Sequence, residues 1–478
     1  MKRLISYFVS LLVFIGAACA QGNPAVVLKA KSFKDLSQKI IQAKNPGLNL
    51  FAAMAFGQCG YPSFDGVDPS APVIAAVWRG EGKKTCSISA VKASENSQLS
   101  ALMKAKAEAG SGVKFEALDG WLVSISNKLG DSCEAAAREW LKQNMGAAPS
   151  ADIVLSLDIP AILSEISSRR ELTSPQAQAM GVIKANVERC ELAINIEGEF
   201  LNVDFSAYLF DGSVKNLLAS FGRAEEVEAA KFLPADAPMY MVSSMVNGEG
   251  TFGAFMAVLK DSLSPRMYAR ALANSDLIAS SCRAGAGAGA TAIYPGRTLS
   301  VAKNLMTLAE QKALIKKAMS FMKSQSELCV AGKPALFGAP LNGVCESGEP
   351  ALKEEKVGGF DALAAPGLCM VFVNGYCVSA STAESAADTA RAVSENKPLE
   401  SHLPASCGGN DGVFVISKNF AGSFAPGSGA DLGGDVSFCF NRFQNGVKLS
   451  ASLSINDLAQ KAMLAIAKLN EARAGAAQ

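Results

Sequence analysis

The chain has 478 residues, and its 45 Lys and Arg are almost exactly matched by 44 Asp and Glu. A protein without a basic excess has no long-range attraction to nucleic acid or to anionic lipid, so nucleic acid is excluded as an expected partner. After the first twenty residues, no segment offers eighteen uninterrupted apolar residues, which argues against a retained membrane helix. The length suffices for two or three domains with cores of their own.

The first twenty residues predict a secretory signal peptide. Lys2 and Arg3 form the basic start, the apolar stretch from Leu4 to Ile15 follows, and Ala18-Cys19-Ala20 ends the segment with small residues. This order is typical of a cleaved signal, and the apolar stretch is too short for a membrane span. We therefore expect an exported protein, located in the periplasm or outside the cell.

The end of this segment leaves two interpretations open. Cleavage after Ala20 would make Gln21 the first residue of the mature chain. Alternatively, Cys19 would carry a lipid, although Gly16 stands where a standard lipobox has an aliphatic residue. We expect contact with a membrane only if Cys19 is lipidated.

The cysteines support an oxidising compartment. Of the twelve cysteines, eleven remain after Cys19 is removed with the signal peptide. In an exported protein such cysteines are expected to form disulfides, at least three within this chain, and no Cys-X-X-Cys pair suggests zinc. No asparagine begins an Asn-X-Ser/Thr sequon that would mark a glycosylated protein. A bacterial envelope is the expected location.

A short string occurs twice in the chain. Residues Gly120–Ser126 read Gly-Trp-Leu-Val-Ser-Ile-Ser, and residues Gly375–Ser381 read Gly-Tyr-Cys-Val-Ser-Ala-Ser, 255 positions later. Asp precedes the first glycine and Asn the second, so each string predicts a hairpin with a two-residue turn. In the second hairpin, alternation along the strands places Cys369 and Cys377 on opposite faces.

Further correspondences follow in the same order. An alanine-rich helix is predicted at residues 133–142 and again at 384–393, each followed by a strand, at 153–157 and 413–416. An alternating strand and a helix close each half, from Leu201 and from Val447, and these positions are 246 apart. Similarity repeated in order along a chain indicates an internal duplication.

These patterns predict an α+β fold with two similar halves from an internal duplication. Each half is expected to be a mainly antiparallel sheet with helices packed on one face. The predicted order is a signal peptide at 1–20, a first α+β repeat domain at 21–230 and a second at 231–478. Other helices are predicted at 33–42, 98–108, 223–231 and 301–326.

No motif predicts catalytic, cofactor-binding or metal-binding residues. His402 is the only histidine, so a site of two or three histidines is excluded, and a dyad with Cys407 has no recognised signature. The alternating glycines of residues 285–290 lack the spacing of a phosphate-binding loop and are interpreted as a flexible loop insertion. The acidic pairs Glu225-Glu226 and Glu354-Glu355 are interpreted as surface residues, and the Asp65–Asp68 segment lacks the ligand series of a calcium loop.

One pair of aromatic residues forms a candidate binding surface. Trp121 follows the first hairpin turn and Tyr376 occupies the equivalent position in the second hairpin. A rigid aromatic residue at the end of a sheet is used at binding surfaces, but it also packs beneath loops. Both roles are open from the sequence.

The sequence favours a non-enzymatic binding or structural scaffold for an unknown envelope ligand or protein, with the ligand expected between the halves. The alternative is an exported, carboxylate-dependent hydrolase that acts on envelope polymers. A lipid-anchored assembly or inhibitor protein is a third hypothesis. Perturbed carboxylates gathered in a deep pocket would favour the hydrolase.

Overall fold

A computed structural model gives the fold. It describes residues 23–32, 35–36, 38–39, 66–79, 85–94, 97–108, 113–169, 174–198, 200–248, 250–284, 287–304, 306–317, 320, 353–365, 367–399, 408–417, 420 and 436–454. The fold mixes helices with antiparallel sheet, so the predicted α+β class is confirmed. The chain divides into two compact units: unit 1 contains the residues up to Phe210 and those from Gly446 onward, and unit 2 contains Asp211–Asn445.

The described residues of unit 1 contain nine strands, numbered here in chain order. They are β1 (Val26–Ala30), β2 (Val73–Arg79), β3 (Thr85–Lys92), β4 (Val113–Leu118), β5 (Trp121–Asn127), β6 (Ile153–Asp158), β7 (Val187–Glu197), β8 (Phe200–Leu209) and β20 (Gly446–Ser454). Neighbouring strands pair antiparallel in the order β4-β5-β3-β2-β1-β6-β7-β8-β20. The last described strand of the chain therefore completes the sheet that the first strands begin.

Unit 1 carries helices on both faces of this sheet. The helices are α1 (Gln98–Glu108), α2 (Asp131–Asn144), α3 (Ile159–Arg169) and α4 (Ser174–Asn186). Leu141 of α2 packs in one core with Val123 of β5, whereas Met103 of α1 packs with Leu122, the preceding residue of the same strand. Successive strand residues point to opposite faces, so the prediction of helices on one face only is wrong for unit 1.

In the described residues of unit 2, nine strands pair side by side in a sheet, and two short strands form a pair of their own. The strands are β9 (Phe221–Arg223), β10 (Met239–Ser243), β11 (Met245–Asn247), β12 (Gly289–Tyr294), β13 (Arg297–Lys303), β14 (Lys353–Val357), β15 (Phe360–Ala365), β16 (Leu368–Val373), β17 (Tyr376–Ala380), β18 (Gly412–Ile416) and β19 (Val436–Phe443). The larger sheet has the order β14-β15-β16-β17-β13-β12-β10-β18-β19, and β9 pairs with β11. All these pairings are antiparallel.

The helices of unit 2 are α5 (Ser213–Ser220), α6 (Thr251–Ser262), α7 (Pro265–Ala273), α8 (Ser275–Ala284) and α9 (Ala383–Ser394). A 3₁₀ helix spans Glu228–Phe232, and residues 308–317 are helical. Helix α9 packs on β16 and β17 through a buried face rich in alanine, including Ala386 and Ala390. Small side chains there let the helix backbone approach the sheet closely.

Both predicted hairpins are confirmed. Leu118 pairs with Trp121 in the first hairpin, and Val373 pairs with Tyr376 in the second. The turn residues have positive φ angles, 49° and 77° at Asp119 and Gly120 and 46° and 78° at Asn374 and Gly375. These angles are those that a two-residue hairpin turn requires. In the second hairpin, Cys369 pairs with Ala380 and Cys377 with Phe372, so the two thiols lie on opposite faces as expected.

Three predicted segments differ from the structure. The start of the helix predicted at 301–326 is strand, because β13 extends to Lys303 and pairs with β12 and β17 on its two sides. The predicted charged helix at 223–231 is strand at its first residue, and its helical turn begins only at Glu228. Gly289 and Ala290, interpreted as part of a loop, begin β12 opposite Ala302 and Val301.

Several predictions concern residues outside the described part of the chain. These are the signal peptide, His402, Cys59, Cys329, Cys345, Cys407, Asp65, and the helix expected after Asp457. Within the described part, no helix combines the length and the apolar composition that a membrane crossing requires.

Candidate functional site

A fully buried aspartate precedes β6 in unit 1. Asp152 has no exposed surface, and its Oδ2 accepts a hydrogen bond from the backbone N–H of Ile196 at 2.8 Å. Lys39 Nζ donates to both carboxylate oxygens at 2.7 and 2.8 Å, and Lys31 Nζ lies 3.3 Å from Oδ1. The backbone N–H of Asp152 donates to Asn195 Oδ1 at 3.2 Å. This carboxylate therefore links the start of β6 to β7 and forms ion pairs with two lysines.

A second fully buried aspartate precedes β18 in unit 2. Asp411 also has no exposed surface, and its Oδ2 accepts a hydrogen bond from the backbone N–H of Arg442 at 2.6 Å. Its Oδ1 accepts from Arg442 Nη2 at 2.7 Å and from Arg223 Nε at 2.9 Å. The backbone N–H of Asp411 donates to the Phe440 carbonyl at 2.9 Å and to Asn441 Oδ1 at 3.2 Å.

Both carboxylates are held in the ionised form. Burial raises the pKa of Asp152, but the hydrogen bonds from the Ile196 amide and Lys39 outweigh burial, and the pKa lies below its usual value. At Asp411, burial acts in the same direction and is outweighed by Arg442 and Arg223, so its pKa is also lowered. A carboxylate held ionised at neutral pH accepts hydrogen bonds but cannot act as a proton donor.

The two networks have the same plan. In each unit a buried aspartate donates its amide to an asparagine and accepts the amide of the residue after that asparagine. Asn195 and Asn441 are 246 positions apart, and so are Ile196 and Arg442. The cations differ, because unit 1 uses lysines near β1 and unit 2 uses arginines of β9 and β19. Sequence reasoning missed both networks, although an aspartate lies one residue before the first predicted strand and two residues before the second.

An ionic cluster lies where α2 meets β4. Lys114 Nζ donates to Glu134 Oε2 at 2.8 Å, and Arg138 bridges Glu134 and Glu116. Hydrogen bonds from Arg138 and Lys114 lower the pKa of Glu134 to about 2. This cluster joins a helix to an edge strand, and its charges are already compensated.

The two residues of the candidate binding surface are placed differently. Trp121 is 7% exposed and belongs to the core beneath α2. Tyr376 is partly buried and contacts Phe232 edge-to-face, with the ring centroids 6.0 Å apart. Its hydroxyl donates to Glu228 at 2.8 Å, and burial together with this carboxylate raises its pKa to about 12. The core position of Trp121 and the contacts of Tyr376 with Phe232 and Glu228 are structural roles. A binding role for either residue stays a prediction.

A small polar pocket lies in unit 2 between β12, β13 and the start of α9. It has a volume of about 250 Å³, below the range of pockets for drug-sized ligands. Tyr294 donates to Asp236 at 2.7 Å, and Arg297 stacks 4.3 Å above the Tyr294 ring. Thr382 caps α9 by accepting the Ser385 amide at 3.2 Å. The pocket suits a small polar group, and no sequence motif indicated it.

The seven cysteines that the structure describes are free thiols: Cys86, Cys133, Cys190, Cys282, Cys369, Cys377 and Cys439. The expected disulfides therefore stay a prediction, which also involves cysteines outside the described residues.

In the described part of the chain, no cluster of three or more His, Cys, Asp or Glu side chains is arranged to hold a metal ion.

No protein-family model, no curated protein and no solved structure matches the chain.

Proposed function

We propose that this protein is an exported bacterial envelope protein that acts as a non-enzymatic binding or structural scaffold. The observation that carries the proposal is the use of Asp152 and Asp411. These two fully buried carboxylates are each bound to cations and backbone amides in one common plan. Once such a pair is buried, loss of either partner leaves an uncompensated charge, so the residues that form it are held in one arrangement.

We further propose that the framework arose by internal duplication, with halves at 21–230 and 231–478. The shared displacement of 246 supports this, because it relates both the asparagines and the amide donors of the two networks. The strand neighbours also support it: β1 lies between β2 and β6 as β10 lies between β12 and β18. Equivalent partners in equivalent order are expected after duplication and are rare by chance.

The hydrolase alternative needs a different electrostatic arrangement. A carboxylic acid that protonates a leaving group must have a raised pKa, and a second carboxylate must face it across a cleft. The pKa values of Asp152 and Asp411 are lowered, and their oxygens are occupied by protein donors. These two residues fit a scaffold better than an acid catalyst.

Two places are proposed for ligand contact. The polar pocket of unit 2 offers Arg297, Tyr294 and the hydroxyls near Thr382 to a small polar group. Trp121 in unit 1 and Tyr376 in unit 2 remain, each by itself, the candidate binding residues proposed from the sequence. The partner is an unknown envelope ligand or protein, and membrane attachment is proposed only for a chain lipidated at Cys19.

Turnover distinguishes the scaffold from the hydrolase. The purified protein is incubated with isolated peptidoglycan sacculi, the sedimented protein is quantified, and soluble fragments are measured over time. A scaffold releases no fragments, whether or not it sediments with the sacculi. Release of many fragments per protein molecule would overturn the non-enzymatic proposal. If fragments are released, an Asp152→Asn variant tests whether this carboxylate is catalytic. Release that continues in the folded variant excludes Asp152 as the catalytic residue.

The proposed location has its own test. The mass of the mature protein isolated from its host identifies the first residue. A chain that begins at Gln21 supports simple export, and a chain that begins with an acylated Cys19 supports lipid attachment. A chain that retains residues 1–20 would contradict both.

A further inference from the structure

Two buried thiols of unit 1 face each other. Cys86 in β3 and Cys133 in α2 are both 0% exposed and belong to the same hydrophobic core. The helix α2 packs directly on β3, and the Cys133 thiol contributes to the raised pKa of Cys86. The two thiols are therefore neighbours in this core.

Hydrogen bonds around Asn127 place Cys133 near Cys86. Cys86 pairs in register with Asn127 of β5. The side chain of Asn127 donates to the Gly130 carbonyl and accepts from the Leu129 amide, each at 2.8 Å. These hydrogen bonds hold the start of α2 beside β3, and Cys133 lies in the first turn of that helix. The contact is therefore set by backbone and side-chain hydrogen bonds that do not involve sulfur.

We propose that Cys86 and Cys133 form a disulfide that crosslinks β3 to α2. The inference rests on the proposed export, because the reducing cytosol keeps such cysteines as free thiols. The oxidant is a disulfide, either of a thiol-exchange protein or of oxidised glutathione. One cysteine thiolate attacks it and displaces the first thiol, and the second cysteine then attacks the mixed disulfide and displaces the other. Two protein thiols become one disulfide, and the oxidant disulfide becomes two thiols.

Burial determines when this reaction takes place. Burial and the neighbouring thiol raise the pKa of Cys86 to about 12, and burial raises the pKa of Cys133. The thiolate is the attacking species, so both groups react slowly once the core has closed. The crosslink is therefore expected to form during folding, before α2 covers β3.

Peptide mapping tests the pairing. The protein purified from its host is analysed directly and again after reduction, denaturation and refolding with reduced and oxidised glutathione. Free thiols are alkylated in denaturant, and trypsin is added without reductant. Cleavage after Lys and Arg gives the peptides Thr85–Lys92 and Leu129–Arg138, which contain Cys86 and Cys133. The expected product is these two peptides joined by a disulfide.

The outcomes separate this inference from the proposed location. If the refolded sample carries the joined peptides and the host sample has both thiols alkylated, the pairing holds and the proposed export fails. If both peptides are alkylated after refolding, or each is joined to another cysteine, the pairing is overturned. In a Cys133→Ala variant Cys86 should become alkylated, whereas Cys369→Ala should leave the joined peptides unchanged. The wild-type result decides the question even if a variant does not fold.

Discussion

Arg442 binds Asp411 through both its backbone and its side chain. Its amide donates to Oδ2 at 2.6 Å, and its guanidinium donates to Oδ1 at 2.7 Å. A buried carboxylate held from two directions fixes the start of β18 against β19, and removing it leaves two arginines without their carboxylate partner.

An Asp411→Asn substitution should therefore destabilise the protein strongly. Loss of one partner from a buried charge pair costs about 3 to 5 kcal/mol, and Arg223 and Arg442 both lose theirs here. The free energy of unfolding from urea titrations measures the effect. Asp361→Asn is the matched control, because the exposed pair of Asp361 with Lys356 is expected to contribute less than about 1 kcal/mol. Equal losses in the two variants would contradict the framework role of Asp411.

The two asparagines should have unequal effects. Asn195→Ala leaves the amide of the buried Asp152 without its acceptor, at an expected cost of about 1 to 3 kcal/mol. The amide of Asp411 also donates to the Phe440 carbonyl at 2.9 Å, so Asn441→Ala leaves it one acceptor and should cost less. Asn202→Ala is the control, because its side chain bonds Glu197 at the surface. Free energies of unfolding from urea titrations measure the losses, and a larger loss for Asn441→Ala than for Asn195→Ala would contradict this account.

Stability should fall in acid because of the two aspartates. Their pKa values are lowered in the folded protein, whereas an aspartate in an unfolded chain titrates at about 3.9. The unfolded state therefore takes up protons first as the pH falls. The stabilisation is present in full above the unfolded pKa and is lost as the pH falls through the folded values.

Urea titrations from pH 7 to pH 2 measure this dependence. In the Asp411→Asn variant the acid-dependent part of the unfolding free energy should be smaller than in the wild type. If the pH dependence is unchanged, the lowered pKa of Asp411 is not a source of acid sensitivity.

Two glycine substitutions should change stability in opposite directions. Gly375→Ala places a side chain at a φ of 78°, at an expected cost of about 1 to 2 kcal/mol. Gly253 lies inside α6 with open space around its Cα, so Gly253→Ala should stabilise the protein by about 0.5 to 1 kcal/mol. Thermal unfolding of both variants provides the measurement. A stabilising Gly375→Ala would contradict the turn conformation.

The features that sequence reasoning predicted are local ones. Asp119-Gly120 and Asn374-Gly375 specify their turns through backbone angles that few other residues adopt, so the hairpins and their register could be predicted. Helices α2 and α9 follow from short alanine-rich runs. In each case the information lies within about a dozen neighbouring residues.

The features that sequence reasoning missed depend on distant partners. Val301 is buried in a strand because β12 and β17 pair with β13 on both sides, and a short apolar run does not distinguish strand from helix. Asp152 meets its asparagine 43 residues away and Asp411 meets its asparagine 30 residues away. A single aspartate before a strand carries no local sign of such a partner.

The position of β20 has a consequence for the order of folding. Strand β8 ends at Leu209, and its partner β20 begins only at Gly446. All of unit 2 is synthesised between them, so one edge of β8 has no partner while those residues emerge. Closing so long a loop is slow, and an unpaired strand edge invites pairing with other chains. The chain is therefore most exposed to aggregation late in its synthesis, just before β20 reaches the sheet of unit 1.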